Sequence, residues 1–168
     1  MEEPLDEQLD RALAEGVVDA CLTAEQVAGL PRGLLLALAA HESGLRNVED
    51  RGGIFGIDAS RHADWLGQQG SPTAAESASF VAGLISGAET FGHTNGVSDG
   101  DLLGFALAAY RTGVATALAG YAPRGSRLDT ETTQYAAAVL ARLPSVQRWL
   151  DARLGASQRR RLEPGASG

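Results

Sequence analysis

The sequence predicts a mainly α-helical globule of about six helices, with one short Gly-rich irregular or β-hairpin segment forming one side of a cleft. Three observations carry that expectation. Hydrophobic residues make up 44% of the 168 but aromatics only 5%, so the core must be built from Ala, Leu, Val and Ile, which suits closely packed helices. Apolar positions recur at three- and four-residue spacing. The evenly spaced turn signals of β-blades or hairpins are missing.

The elements follow in order. Leu5, Leu9, Leu13 and Val17 recur at every fourth residue and give an acidic N-terminal helix over 1–20 one apolar stripe. Thr23 with Gln26 matches a capping box and opens a short helix through Leu30. Pro31 suits the first position of the next helix. That helix, GLLLALAAHES, is apolar on every side and should be buried, with Gly44 placed to end it. The stretch DRGGIFGIDAS is too irregular for a helix and reads as a turn or hairpin. A helix near Thr73–Phe91 sets Phe80, Leu84 and Ala88 on one face. Asp101–Tyr110 is again nearly all apolar, so it should cross the core and deliver Tyr110 to the floor of a cleft near Glu42. A last pair, Thr130–Leu143 and Ser145–Leu154, is divided at Pro144, which lacks an N–H and crowds the preceding turn. Residues 21–154 form the main domain, and 155–168 read as a flexible tail.

Charge narrows the range of partners. A net charge of −7 argues against nonspecific binding to nucleic acid or anionic lipid. Acids crowd the first 25 residues and arginines the last 27, with a mixed, mostly apolar body between. No run of ~18 apolar residues is present, so no membrane span is expected. MEEPLDEQLD is the opposite of a secretory signal peptide, which predicts synthesis in the cytoplasm without one. A single cysteine, Cys21, excludes an internal disulfide.

Glu42 is the sharpest candidate for chemistry. It ends a buried helix beside a glycine, where desolvation and the negative end of the helix dipole both disfavour the charged form. A carboxylic acid still protonated near neutral pH is what a general acid needs. The alternative is an exposed helix-end glutamate paired with Arg46 at i+4. Asp50 and Asp58 flank a glycine-rich loop on which an acid could hold a water, or they are turn formers. His41-Glu42 begins like the zinc motif H-E-x-x-H, but Leu45 stands where the second His belongs, so no metal is expected. Neither a G-x-S-x-G, a P-loop nor a G-x-G-x-x-G is present.

Four blocks, in order, resemble the goose-type lysozyme and soluble lytic transglycosylase superfamily. ALAAHESGLRN is similar to its buried helix ending in Glu-Ser, and Glu42 matches the catalytic acid. DRGGIFGIDASRH resembles the Gly-rich segment with two acidic positions, matched by Asp50 and Asp58. ALAAYRTG is similar to the Ala-Tyr-Asn-Ala-Gly block, with Tyr110 on its Tyr. TETTQYAAAVLAR resembles the terminal block, with Tyr135 on its aromatic position. The likeness spans roughly residues 30–143. Two positions depart from it: Gly56 stands at the family's Gln, and Arg111 at its Asn.

The resemblance implies a lysozyme-like fold and cleavage of the β-1,4 bond between N-acetylmuramic acid and N-acetylglucosamine in peptidoglycan. It implies Glu42 as proton donor, Ser43, Gly56, Tyr110 and Tyr135 as substrate-binding positions, and no cofactor. An inverting hydrolase also needs a water held by a second carboxylate roughly 6.5–9.5 Å away, for which Asp58 ranks first and Asp50 second. Two acids favour hydrolysis. A lytic transglycosylase, whose own sugar hydroxyl attacks to give 1,6-anhydro products, is the alternative. So is a non-catalytic, wall-binding component of a phage tail or injection assembly. Either enzyme would reach the wall after lysis, export or injection. One further expectation concerns Arg111, which should turn to solvent, ~100° around the helix from Tyr110.

Overall fold

The computed structural model describes residues 3–48, 52–121 and 130–162, with side chains described as far as 155. Eight α-helices follow one another among these residues, and no strand occurs there. They are α1 (Leu5–Ala14), α2 (Val17–Ala28), α3 (Leu34–Ser43), α4 (Ala59–Gln69), α5 (Ala74–Thr94), α6 (Leu102–Thr112), α7 (Val114–Tyr121) and α8 (Thr130–Leu162). None is long and apolar enough to cross a membrane.

The centre is α3. Every side chain from Leu34 to Ala40 is buried, which matches a sequence with no polar side over those seven positions. It packs against α8 on one side and touches α2 and α5 on others. The second apolar helix, α6, buries Phe105 to Ala109 and lies between α5, α7 and α8. Small residues at the contacts, such as Ala37, Ala39, Ala106 and Ala108, let these helices approach closely.

The N-terminal stripe is present, but one helix does not carry it. The chain turns at Gly16, whose φ of 77° suits glycine, and α2 starts at Val17. Thr23 and Gln26 therefore lie inside α2 and cap nothing. Leu9 and Ala12 of α1 and Val17 of α2 join the same core as the later helices. The start of α3 is set by a different device. Pro31 lies in the turn before it, and the buried Glu25 carboxylate accepts from the Gly33 and Leu35 N–H groups at 2.7 and 2.6 Å. That satisfies donors which a helix start leaves without partners.

Three further differences have local causes. In α5 Ala88 of the expected face is buried, but Phe80 and Leu84 are only partly so, and Ala78, Val81 and Ile85 fill the core in their place. Its Thr73–Glu76 capping box fixes the first turn. The helices α4 and α7 were not expected. The first carries mostly polar residues and buries no side chain fully, and the second has only eight residues, with Ala117 alone buried. Finally, α8 runs unbroken through Pro144 to Leu162. Tyr135, Ala136 and Val139 before the proline, and Val146, Trp149 and Leu150 after it, share the core, and this packing outweighs the lost hydrogen bond.

Candidate functional site

Gly44 ends α3 as its pattern implies. Its φ is 63°, and the Leu45 N–H reaches back to the Ala39 carbonyl at 3.2 Å. Leu45 keeps the left-handed backbone, at φ 59°, while its side chain is fully buried. The chain thus leaves α3 abruptly, and Glu42 stands half-buried in the last turn beside a cleft.

The Gly-rich segment forms the opposite wall. No hairpin occurs among its described residues. A single 3-10 turn, Gly53–Phe55, is closed by Gly53 N–H to Val48 O at 3.0 Å and Ile57 N–H to Gly52 O at 2.9 Å. Buried Ile54, Phe55 and Ile57 pin it to the core. Two hydroxyls staple it to the helices. Ser43 Oγ donates to Ile54 O at 2.7 Å, and Tyr110 Oη donates to Phe55 O at 2.7 Å. Each hydroxyl has one hydrogen, so both are spent inside the protein. Ser43 and Tyr110 thus shape the cleft wall.

The cleft has a volume of about 290 Å³. Glu42, Gly56, Asp58, Tyr110 and Arg111 line it together, with Arg61 beside them. Tyr135 lies behind Glu42, buried, and its hydroxyl donates to Glu42 Oε1. The other carboxyl oxygen faces Gly56. A Cβ placed on Gly56 would stand 2.5 Å from Oε2, and its φ is 61°, so glycine alone leaves this oxygen room. Asp50 falls outside the described residues.

Burial pushes the Glu42 pKa up, and the Tyr135 hydroxyl and the Arg111 charge counter it only in part. Arg46, the alternative partner, pairs instead with Glu3 at 3.1 Å. Tyr135 is itself held well above the ordinary phenol range by burial and by Glu42, so it remains a donor. With Oε1 accepting from Tyr135, a proton on the carboxyl belongs on Oε2, the oxygen beside Gly56.

Asp58 is engaged differently. It caps α4, and its Oδ1 accepts from Ser60 N–H and Oγ at 2.8 and 2.6 Å. Its Oδ2 accepts from Arg61 Nε at 2.9 Å. These donors hold its pKa well below the usual carboxylate range, the Ser60 hydroxyl contributing most. Arg61 also reaches the Tyr110 and Arg111 carbonyls, each at 2.9 Å, and so ties the start of α4 to the end of α6. Sequence reasoning overlooked Arg61, although an Asp helix cap followed by Arg at i+3 is a readable signal.

Arg111 does not turn wholly to solvent. Its side chain is half exposed, yet it lines the cleft, sits over the Tyr135 ring at 5.7 Å and pairs with Glu131 at 3.3 Å. His41 packs edge-on against Tyr135 at 5.0 Å. Among the described residues no group of three or more His, Cys, Asp or Glu side chains is placed to hold a metal ion. Comparison of the chain with protein-family models, curated proteins and solved structures gives no match.

Proposed function

We propose that this chain cleaves the β-1,4 bond between N-acetylmuramic acid and N-acetylglucosamine in peptidoglycan, with Glu42 as the general acid. One observation carries the reading: a half-buried carboxyl of raised pKa, held by Tyr135 on one oxygen and open to a cleft beside Gly56 on the other. The four-block likeness to goose-type lysozymes and lytic transglycosylases supports it, and so do the helical architecture and the placing of Tyr110 and Tyr135 around Glu42. In this reading Oε2 gives its proton to the glycosidic oxygen as the bond to C1 breaks. Glu42 is left as a carboxylate, steadied by Tyr135 and by the nearby Arg111 charge.

Two routes share that step. In hydrolysis a water attacks and a second carboxylate takes its proton. Asp58 is the described candidate, but its low pKa makes it a weak base, and both its oxygens already accept hydrogen bonds. That engagement favours the second route, in which the sugar's own C6 hydroxyl attacks C1 and Glu42 takes back the hydroxyl proton. The product is then a 1,6-anhydro end, and one carboxylate suffices.

The test is mass spectrometry of muropeptides after digestion of purified peptidoglycan. Release is expected from the wild-type chain, with 1,6-anhydro ends. Glu42→Gln should fold normally and lose at least ~10² in rate, the scale of general acid catalysis. Equal release by the two chains would overturn the assignment of Glu42. Reducing ends that vanish in Asp58→Asn would restore the hydrolytic route.

A further inference from the structure

A second hollow lies away from Glu42, between α4 and α5. Trp65 and Phe80 stack there with centroids 4.0 Å apart and planes 9° from parallel. His62 meets the edge of Phe80 at 5.3 Å. Both stacked rings are only partly buried, although they pack against the core. The hollow measures about 440 Å³ and is lined by Trp65, Gln69, Ala75, Glu76, Ser79 and Phe80.

That lining has a particular chemistry. A pyranose ring presents an apolar C–H face and a rim of hydroxyl and acetamido groups. Its complement is an aromatic surface with donors and acceptors at its edge. Gln69 offers both through its amide, and Ser79 through its hydroxyl. Glu76 accepts from the Thr73 N–H and hydroxyl at 2.7 and 2.9 Å, and a carboxylate has about four acceptor sites, so capacity remains. Ala75 is small and exposed and leaves room beside the rings. No lining side chain is basic, so nothing there would attract the carboxylates of a stem peptide.

The hollow and the cleft share one element. Asp58 caps α4 and Arg61 lies in its first turn, both lining the cleft, while Trp65 and Gln69 follow on the same helix beyond a bend at His62. We propose that this aromatic hollow is a secondary glycan subsite, taking an N-acetylated amino sugar of a strand whose scissile bond lies at Glu42. The proposal rests on the reading of the cleft given above for its choice of ligand.

The experiment is titration of the full chain with a tetramer of β-1,4-linked N-acetylglucosamine, by calorimetry and tryptophan fluorescence. Muropeptide release is measured on the same samples. Trp65→Leu keeps an apolar contact with Phe80 but removes the aromatic face, and should weaken binding by about tenfold or more. It should also abolish the ligand-induced fluorescence change, since Trp149 is buried on α8 with its indole N–H on Asp10. Gln69→Ala, at an exposed position, should weaken binding about threefold with no change in circular dichroism. Muropeptide release with tetramer binding indifferent to both substitutions would overturn the subsite and leave Glu42's role standing. Trp65-dependent binding without muropeptide release would uphold the subsite and overturn the enzymatic reading. Absence of tetramer binding, or binding of the free stem peptide alone, would also overturn the subsite.

Discussion

At Glu42, burial raises the pKa while the Tyr135 hydroxyl and the Arg111 guanidinium pull it down. Arg111 is the easier of the two to remove, because it is half exposed and its partner Glu131 is more exposed still. Arg111→Asn should let the Glu42 pKa rise further. A general acid works only while it holds its proton, so the alkaline limb of the pH–activity profile should move to higher pH. A pH series of muropeptide release checks this, and an unmoved limb would show that solvent screens Arg111 fully. The neighbouring residues show what a sequence can and cannot disclose. Glu42 stood out because a carboxylate ends an apolar run beside a glycine, although spacing alone left a helix-end pair with Arg46 open and only the order of the four blocks singled out the acid. Asp58 looked equally free, since composition does not reveal that Ser60 and Arg61 would occupy both its oxygens. Gly56 read as a lost amide, whereas its missing Cβ is what leaves Oε2 open.

At the scale of the helix, the readable elements were those whose apolar pattern decides their place. That holds for α3 and α6, which have no polar side, and for the Gly44 stop. The misread elements were settled by distant partners. A carboxylate eight residues before Gly33 in the chain caps α3, which no local pattern announces. Burial raises the Glu25 pKa from 4.5 to about 7, against the pull of its two backbone donors and Arg32. Between those values the native chain holds the proton more tightly than the unfolded chain, so rising pH reduces stability. Glu25→Gln should remove that slope, which is worth on the order of 3 kcal/mol across the window. Urea unfolding of both chains at either end of the window measures the difference. In α8 the proline is exposed and costs a hydrogen bond that the core tolerates. Pro144→Ala should therefore stabilise the chain by ~1–2 kcal/mol, after allowing for a looser unfolded state. Calorimetry should show a higher melting temperature, and a fall would mean that the ring itself is needed there.

Across the whole molecule, the second half of α8 is tied to α1 and to the turn before α3. Arg153 pairs with Asp10 at 2.6 Å, Trp149 donates to the same carboxylate at 3.1 Å, and Arg32 pairs with Asp151 at 2.7 Å. Beneath these exposed contacts lie Val146, Trp149 and Leu150. Each buried side chain contributes roughly 1.5–3 kcal/mol, against a usual total of ~5–15. A chain ending at Leu143 should consequently fail to fold, and circular dichroism should show lost helix well beyond the deleted residues. Retention of the cooperative transition would separate α8's second half from the core. The acidic start and arginine-rich end were plain in the composition. The Asp10–Arg153 pair was not, because charge blocks report sign and leave distance open.

Cys21 sits inside α2 with no surface exposed, and burial drives its thiol far above the usual range. Thiolate is the reactive form, so in the closed molecule this sulfur is out of reach of alkylating agents. It is also the chain's one cysteine, so every labelling event counts the same thing, an opening wide enough to wet the middle of α2. The native sequence therefore carries its own clock. Timed thiol trapping reads how often the interior opens, without a dye, a tag or a substitution.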